Sequence, residues 1–100
     1  MGCIVARADF VAENKAAINS FLDEYKASIE YVANSENRAS ASNYIVESGI
    51  MAAAPAAQKA LGNLGDSIAY LDGTEMKEAL VTFYNAIGIT PPTESFYYVD

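Results

Sequence analysis

Residues 1–10 read MGCIVARADF, and the reading of this stretch decides whether the chain carries a sheet. Met1 and Gly2 resemble a start followed by an acceptor glycine, but N-myristoylation requires Ser or Thr at position 6, where Ala6 stands. A lipid-modified cysteine of an export signal follows an apolar stretch of about 7–15 residues, and only two residues precede Cys3. What remains is a short apolar run, Cys3, Ile4, Val5 and Ala6, closed by Arg7 and by Asp9 as a helix-start residue. That is the pattern of a buried strand feeding a helix. Strand alternation puts Arg7 on the face of Cys3, and no other neighbour lowers the thiol pKa, so a buried inert thiol is expected.

Downstream, the pattern is helical. Asp9 is placed to cap a first turn over 10–13, and Asn14 to cap a longer helix over 15–33. Ile18, Phe21, Leu22, Tyr25, Ile29 and Val32 recur at steps of three and four, which draws one apolar stripe. Asp23, Lys26 and Glu30 on the other side read as a solvated face with weak ion pairs. Asn34 and Ser35 break the helix and cap a third over 36–47, weak by propensity because of Ser40, Ser42 and Asn43 and closed by Gly49 in a left-handed turn. Pro55 opens a short alanine-rich helix ending near Leu61, with Gly62 past its end. Alanine on so many faces implies close approach of a neighbour.

Asn63, Leu64, Gly65 and Asp66 read as a turn, and residues 67–71 as a short extended piece. Asp72 with Glu75 three positions later resembles a capping box for a helix over 73–87, whose stripe is Met76, Leu80, Phe83, Tyr84 and Ile87. Gly88 ends it, and Pro91 and Pro92 force an extended tail that finishes on Phe96, Tyr97, Tyr98 and Val99. The expected fold is mostly α, about five helical segments with one or two short strands, in a single unit over 1–100.

Composition narrows function. Thirteen acidic against six basic residues give a formal charge of -7, which leaves no electrostatic drive toward nucleic acid or an anionic membrane. The chain has no histidine and one cysteine, which removes the commonest general base, an internal disulfide and every multi-cysteine zinc pattern. Carboxylates that sit near one another, Asp66 with Asp72 or Glu75 with Glu78, lack a matching ligand set and are explained as caps and solvated faces. Gly62, Gly65, Gly73 and Gly88 form no phosphate-cradling spacing. The aromatics at helical spacing, Tyr25, Tyr31, Phe83 and Tyr84, read as core, and the Phe96, Tyr97, Tyr98 cluster as a docked terminus. No catalytic residue, metal ligand or cofactor site emerges, so the chain is not expected to be an enzyme.

The order of segments adds a resemblance. GCIVARADF, then FLDEYKASIEYV, then SIAYLDGTEMKEAL before a last long helix, and finally FYY are similar to the C-terminal part of the extracytoplasmic solute-binding proteins of ABC transporters. The branch resembled is that of the nitrate, sulfonate and thiamine-precursor binding proteins. The likeness covers essentially the whole chain. It departs from the family in length, since those proteins are much longer, and in the short stretch between Ile87 and Phe96.

The resemblance implies a fragment of one lobe of an α/β type II periplasmic binding protein, a transport component that holds a small-molecule ligand between two lobes and signals closure to an ABC permease. It further implies an extracytoplasmic lipoprotein as the full-length form, with no export signal in this chain. Residues 1–3, Gly2 and Cys3 in particular, would lie near the cleft or hinge. Ligand contacts are otherwise unassigned and the binding site incomplete. Two other readings stand beside it: a stand-alone acidic helical interaction module, and a fragment of a biosynthetic enzyme on the same fold. Fragment and module share one expectation, self-association through exposed apolar surface.

Overall fold

The computed structural model describes residues 2–99, apart from the side chain of Asp66. Five α-helices follow one another: α1 (Ala8–Glu13), α2 (Lys15–Ala33), α3 (Arg38–Glu47), α4 (Ala54–Leu64) and α5 (Gly73–Ala86). Single 3-10 turns lie at Ser35–Asn37, Gly65–Ser67 and Glu94–Phe96. The chain divides into two compact units, Met1–Ala69 with α1 to α4 and Tyr70–Asp100 with α5 and the tail.

Among the described residues there is no strand, which corrects the mixed fold expected from sequence. Residues 2–6 are exposed without regular structure, Ile4 at 53% and Val5 at 81% of their full surface. A strand exists only when a neighbour takes its backbone hydrogen bonds, and no second extended segment pairs with this one. The other candidate begins inside a 3-10 turn, and Ile68 beyond it, although extended at φ -104° and ψ 121°, has no ladder partner either. The helical-segment count agrees with expectation, but the α/β lobe does not form.

The joints of the first unit are made by asparagines. Asn14 separates α1 from α2, yet its side chain makes no N-cap bond: its Nδ2 donates back to the Phe10 carbonyl at 2.9 Å and closes α1. Asn34 accepts from the Glu36 amide at 3.0 Å, and Asn37 Nδ2 donates to the Tyr31 carbonyl at 3.1 Å. The orphan carbonyls at the end of α2 are thereby partly satisfied while the chain turns into α3.

The buried side chains of this unit belong to α3 and α4, which pack on each other. They are small: Ser42 and Ala57 at 0%, Ala41 at 3%, with Leu61 at 9%. The Ser42 hydroxyl, taken wholly from water, donates to the Arg38 carbonyl at 2.7 Å, so burial leaves it bonded. Gly62, expected past the end of α4, lies inside it. The helix ends instead at Gly65, whose φ of +50° is open to glycine at little cost. In the second unit α5 opens at Asp72, which makes no side-chain capping bond, and closes at Ile87 before Gly88 at φ +75°.

Candidate functional site

Gly2 and Cys3, the residues expected near a cleft, are exposed on the irregular N-terminal segment. Cys3 is a free, solvent-facing thiol, not the buried one that a strand would have made. A methyl group at Gly2 would meet nothing within 4 Å, so no wall of a pocket stands beside it. Met1 lies outside the described residues, as does the side chain of Asp66. Asp72, Glu75 and Glu78 are exposed, and among the described residues no three His, Cys, Asp or Glu side chains converge as a metal site. No described helix is long and apolar enough to cross a membrane.

What the structure does offer is uncovered apolar surface. The chain exposes 7388 Å² at a mass of 10.7 kDa. A compact folded chain of that mass exposes about 5,500 Å², and about 6,600 Å² if its two units are counted as separate bodies. Large apolar side chains account for much of what is open, among them Phe10, Phe21, Tyr25, Tyr44, Phe83 and Phe96, each more than 40% exposed. The aromatics assigned to the core from their spacing are thus largely on the outside. Tyr97, at 8%, is the one buried ring among the described residues.

The most open helical surface is the middle of α2. Ile18, Leu22, Ile29 and Val32 are half-buried, but residues 23–28 are all exposed. Six consecutive residues sweep more than one and a half turns, so no side of this part of the helix carries a buried side chain. The elements packed against α2 explain the gap: α1 joins its start at Asn14, and α3 follows its end through the 3-10 turn at Ser35–Asn37. On the bare section Phe21 and Tyr25 stack one turn apart, ring centroids 5.8 Å and planes 13° from parallel. Farther along, Tyr31 meets Tyr44 of α3 at 6.4 Å with the rings tilted by 51°. Sequence periodicity found the stripe but gave it to the core, and it passed over Tyr44. A signal was available in the placement of α1: a helix of six residues is too short to shield one of nineteen.

In the second unit the exposed side chains of α5 include Glu75, Glu78 and Phe83. Its one cation, Lys77, is held by both carboxylate oxygens of Glu94 at 2.5 and 2.6 Å.

No protein-family model matches the chain, and no curated protein or solved structure matches it. The resemblance to ABC-transporter solute-binding proteins is therefore not supported, and the sheetless fold of the described residues removes the lobe on which solute binding depends. The transport function and the enzyme fragment on the same fold fall together, since both need that sheet.

Proposed function

We propose that the chain is an acidic helical interaction module that works by binding, not catalysis, and associates through the uncovered face of α2. One observation carries this: the longest helix of the structure buries no side chain and is bare through its middle third, with two stacked rings facing water. Around the two rings the bare section carries charged and small side chains, Asp23, Glu24, Lys26, Ala27 and Ser28, so the apolar area that a partner would take from water is that of Phe21 and Tyr25. The partner that fits is one presenting an apolar helical or flat surface, and for the chain in isolation a second copy supplies it.

Sedimentation of the full chain over a wide concentration range tests the proposal. The net charge of -7 opposes like-to-like contact, so self-association is expected to grow with concentration and to strengthen between about 0.1 M and 1 M salt, as the screening length falls from about 10 Å to 3 Å. Phe21→Ser with Tyr25→Ser should return the chain to monomer. A wild-type chain that stays monomeric at millimolar concentration in high salt sinks the proposal.

A further inference from the structure

Among the described residues of the second unit the one buried side chain lies not on α5 but on the tail that follows it: Tyr97 is 8% exposed, while α5 buries none. The Lys77–Glu94 ion pair shows how the tail runs. From Gly88 back to Lys77 is eleven residues of helix, about 16 Å, and the six residues 89–94 cover about 19 Å when extended. Pro91 and Pro92 favour that extended course, and Thr93 continues it at φ -71° and ψ 168°. The tail therefore doubles back along α5.

Burial on the helix agrees with this course. Gly73, Lys77, Leu80, Val81 and Tyr84, at steps of three and four, share the side on which Lys77 meets Glu94, and all are half-buried. Opposite them Glu75, Thr82 and Ala86 are exposed, and only the small Ala79 is half-buried.

What holds the tail down is slight. The Glu94 side chain is 84% exposed, and an exposed ion pair contributes little. The Phe96 and Tyr97 amides donate to the Thr93 and Glu94 carbonyls, and the Tyr97 hydroxyl donates to the Pro92 carbonyl at 3.3 Å. These bonds close within the tail, so lifting it off α5 breaks none of them. The tail leaves the helix at Gly88, whose φ is +75°. Segments with few buried contacts open at low cost in free energy.

We infer that residues 89–99 are a strap that closes over the Lys77 side of α5 and opens under native conditions, with the Lys77–Glu94 pair as its latch and the Tyr97 ring as its pin. Closed, it shields the apolar side chains of Leu80, Val81 and Tyr84; open, it uncovers them. The apolar surface that α5 presents is then set by the strap, independently of the α2 face.

Thiol labelling of the full chain with a neutral maleimide tests this, in a Cys3→Ser background so that the introduced cysteine is the one thiol. Val81→Cys reports the shielded side and Thr82→Cys the open one. Val81→Cys is expected to label at least about tenfold more slowly than Thr82→Cys, yet to reach completion without denaturant. Glu94→Lys should speed labelling of Val81→Cys a few-fold, the order for an exposed pair turned repulsive, and adding Lys77→Glu should return the rate towards its starting value. With Tyr97→Ser the gain should be about tenfold or more, since the buried ring is lost. Far-UV circular dichroism of Glu94→Lys should match wild type, which separates opening of the strap from melting of α5. Equal labelling at the two positions, labelling of Val81→Cys only in denaturant, slow labelling unmoved by Glu94→Lys, or loss of helix in Glu94→Lys would each overturn the inference.

Discussion

Two helical regions of the first unit invert what their sequences lead one to expect. α2 has the clean apolar stripe and nineteen residues, and buries none of them. α3 is rich in Ser and Asn and has little amphipathic character, yet among the described residues it and α4 hold all the buried side chains of the unit. The difference lies in how near a neighbour can come. Ala41, Ser42 and Ala57 are small enough for two helix backbones to approach closely, so a few side chains reach complete burial. The large side chains of α2 instead hold neighbours off, and those neighbours reach only its ends. A stripe states which side of a helix prefers burial; the partner decides whether burial happens.

The comparison breaks first at Leu61, the one large side chain buried between α3 and α4. Leu61→Ala is expected to destabilise the unit by about 2–5 kcal/mol, the range for emptying a buried leucine site. Urea unfolding followed by far-UV circular dichroism measures this. A loss below about 1 kcal/mol would mean that the hairpin is not where the stability resides.

A substitution at the neighbouring position has the opposite sign. Gly62 lies in α4 without a positive φ, and a β-carbon there would sit 3.8 Å from the Arg38 guanidinium, an ordinary contact. Gly62→Ala should therefore stabilise the unit by about 0.8–1 kcal/mol, the difference in helix propensity. Were Gly62 the left-handed terminator that the sequence pattern indicates, the same change would destabilise instead. A melting temperature that falls in Gly62→Ala would thus move the end of α4 back by three residues and shrink the packed hairpin.

Much of the local structure was legible because it is set locally. α2 runs Lys15–Ala33 as its stripe and flanking asparagines indicate, and Gly49 and Gly88 adopt the left-handed φ expected where helices stop. Gly65 displaced Gly62 as terminator because two glycines three apart offer the same conformational freedom and packing chose between them. The strand over residues 3–6 failed on a different ground: four apolar residues in a row satisfy a strand pattern, but a strand also needs an edge to pair with, which no local pattern supplies. The reason for singling out Gly2 and Cys3 went with the strand, since they were placed only by a sheet near a cleft. Phe21 and Tyr25 were visible as residues and invisible as a site, because exposure depends on where α1 and α3 end and not on the spacing of the rings.

The smallest effect is the most pointed test of the comparison. Phe21 is 49% exposed and touches Tyr25 one turn on, and such a pair on a helix surface contributes only about 0.2–0.5 kcal/mol. Alanine at the same place returns a similar amount through higher helix propensity. The two terms oppose each other, so Phe21→Ala should leave the urea midpoint of the dilute monomer within about 0.5 kcal/mol of wild type. The change in Leu61→Ala should be several times larger, although phenylalanine is the bigger side chain. If Phe21→Ala instead cost more than about 1.5 kcal/mol, the ring would be packed in solution, since only a buried aromatic loses that much on truncation. The middle of α2 would then belong to the core with α3 and α4, and the face proposed for association would not be open.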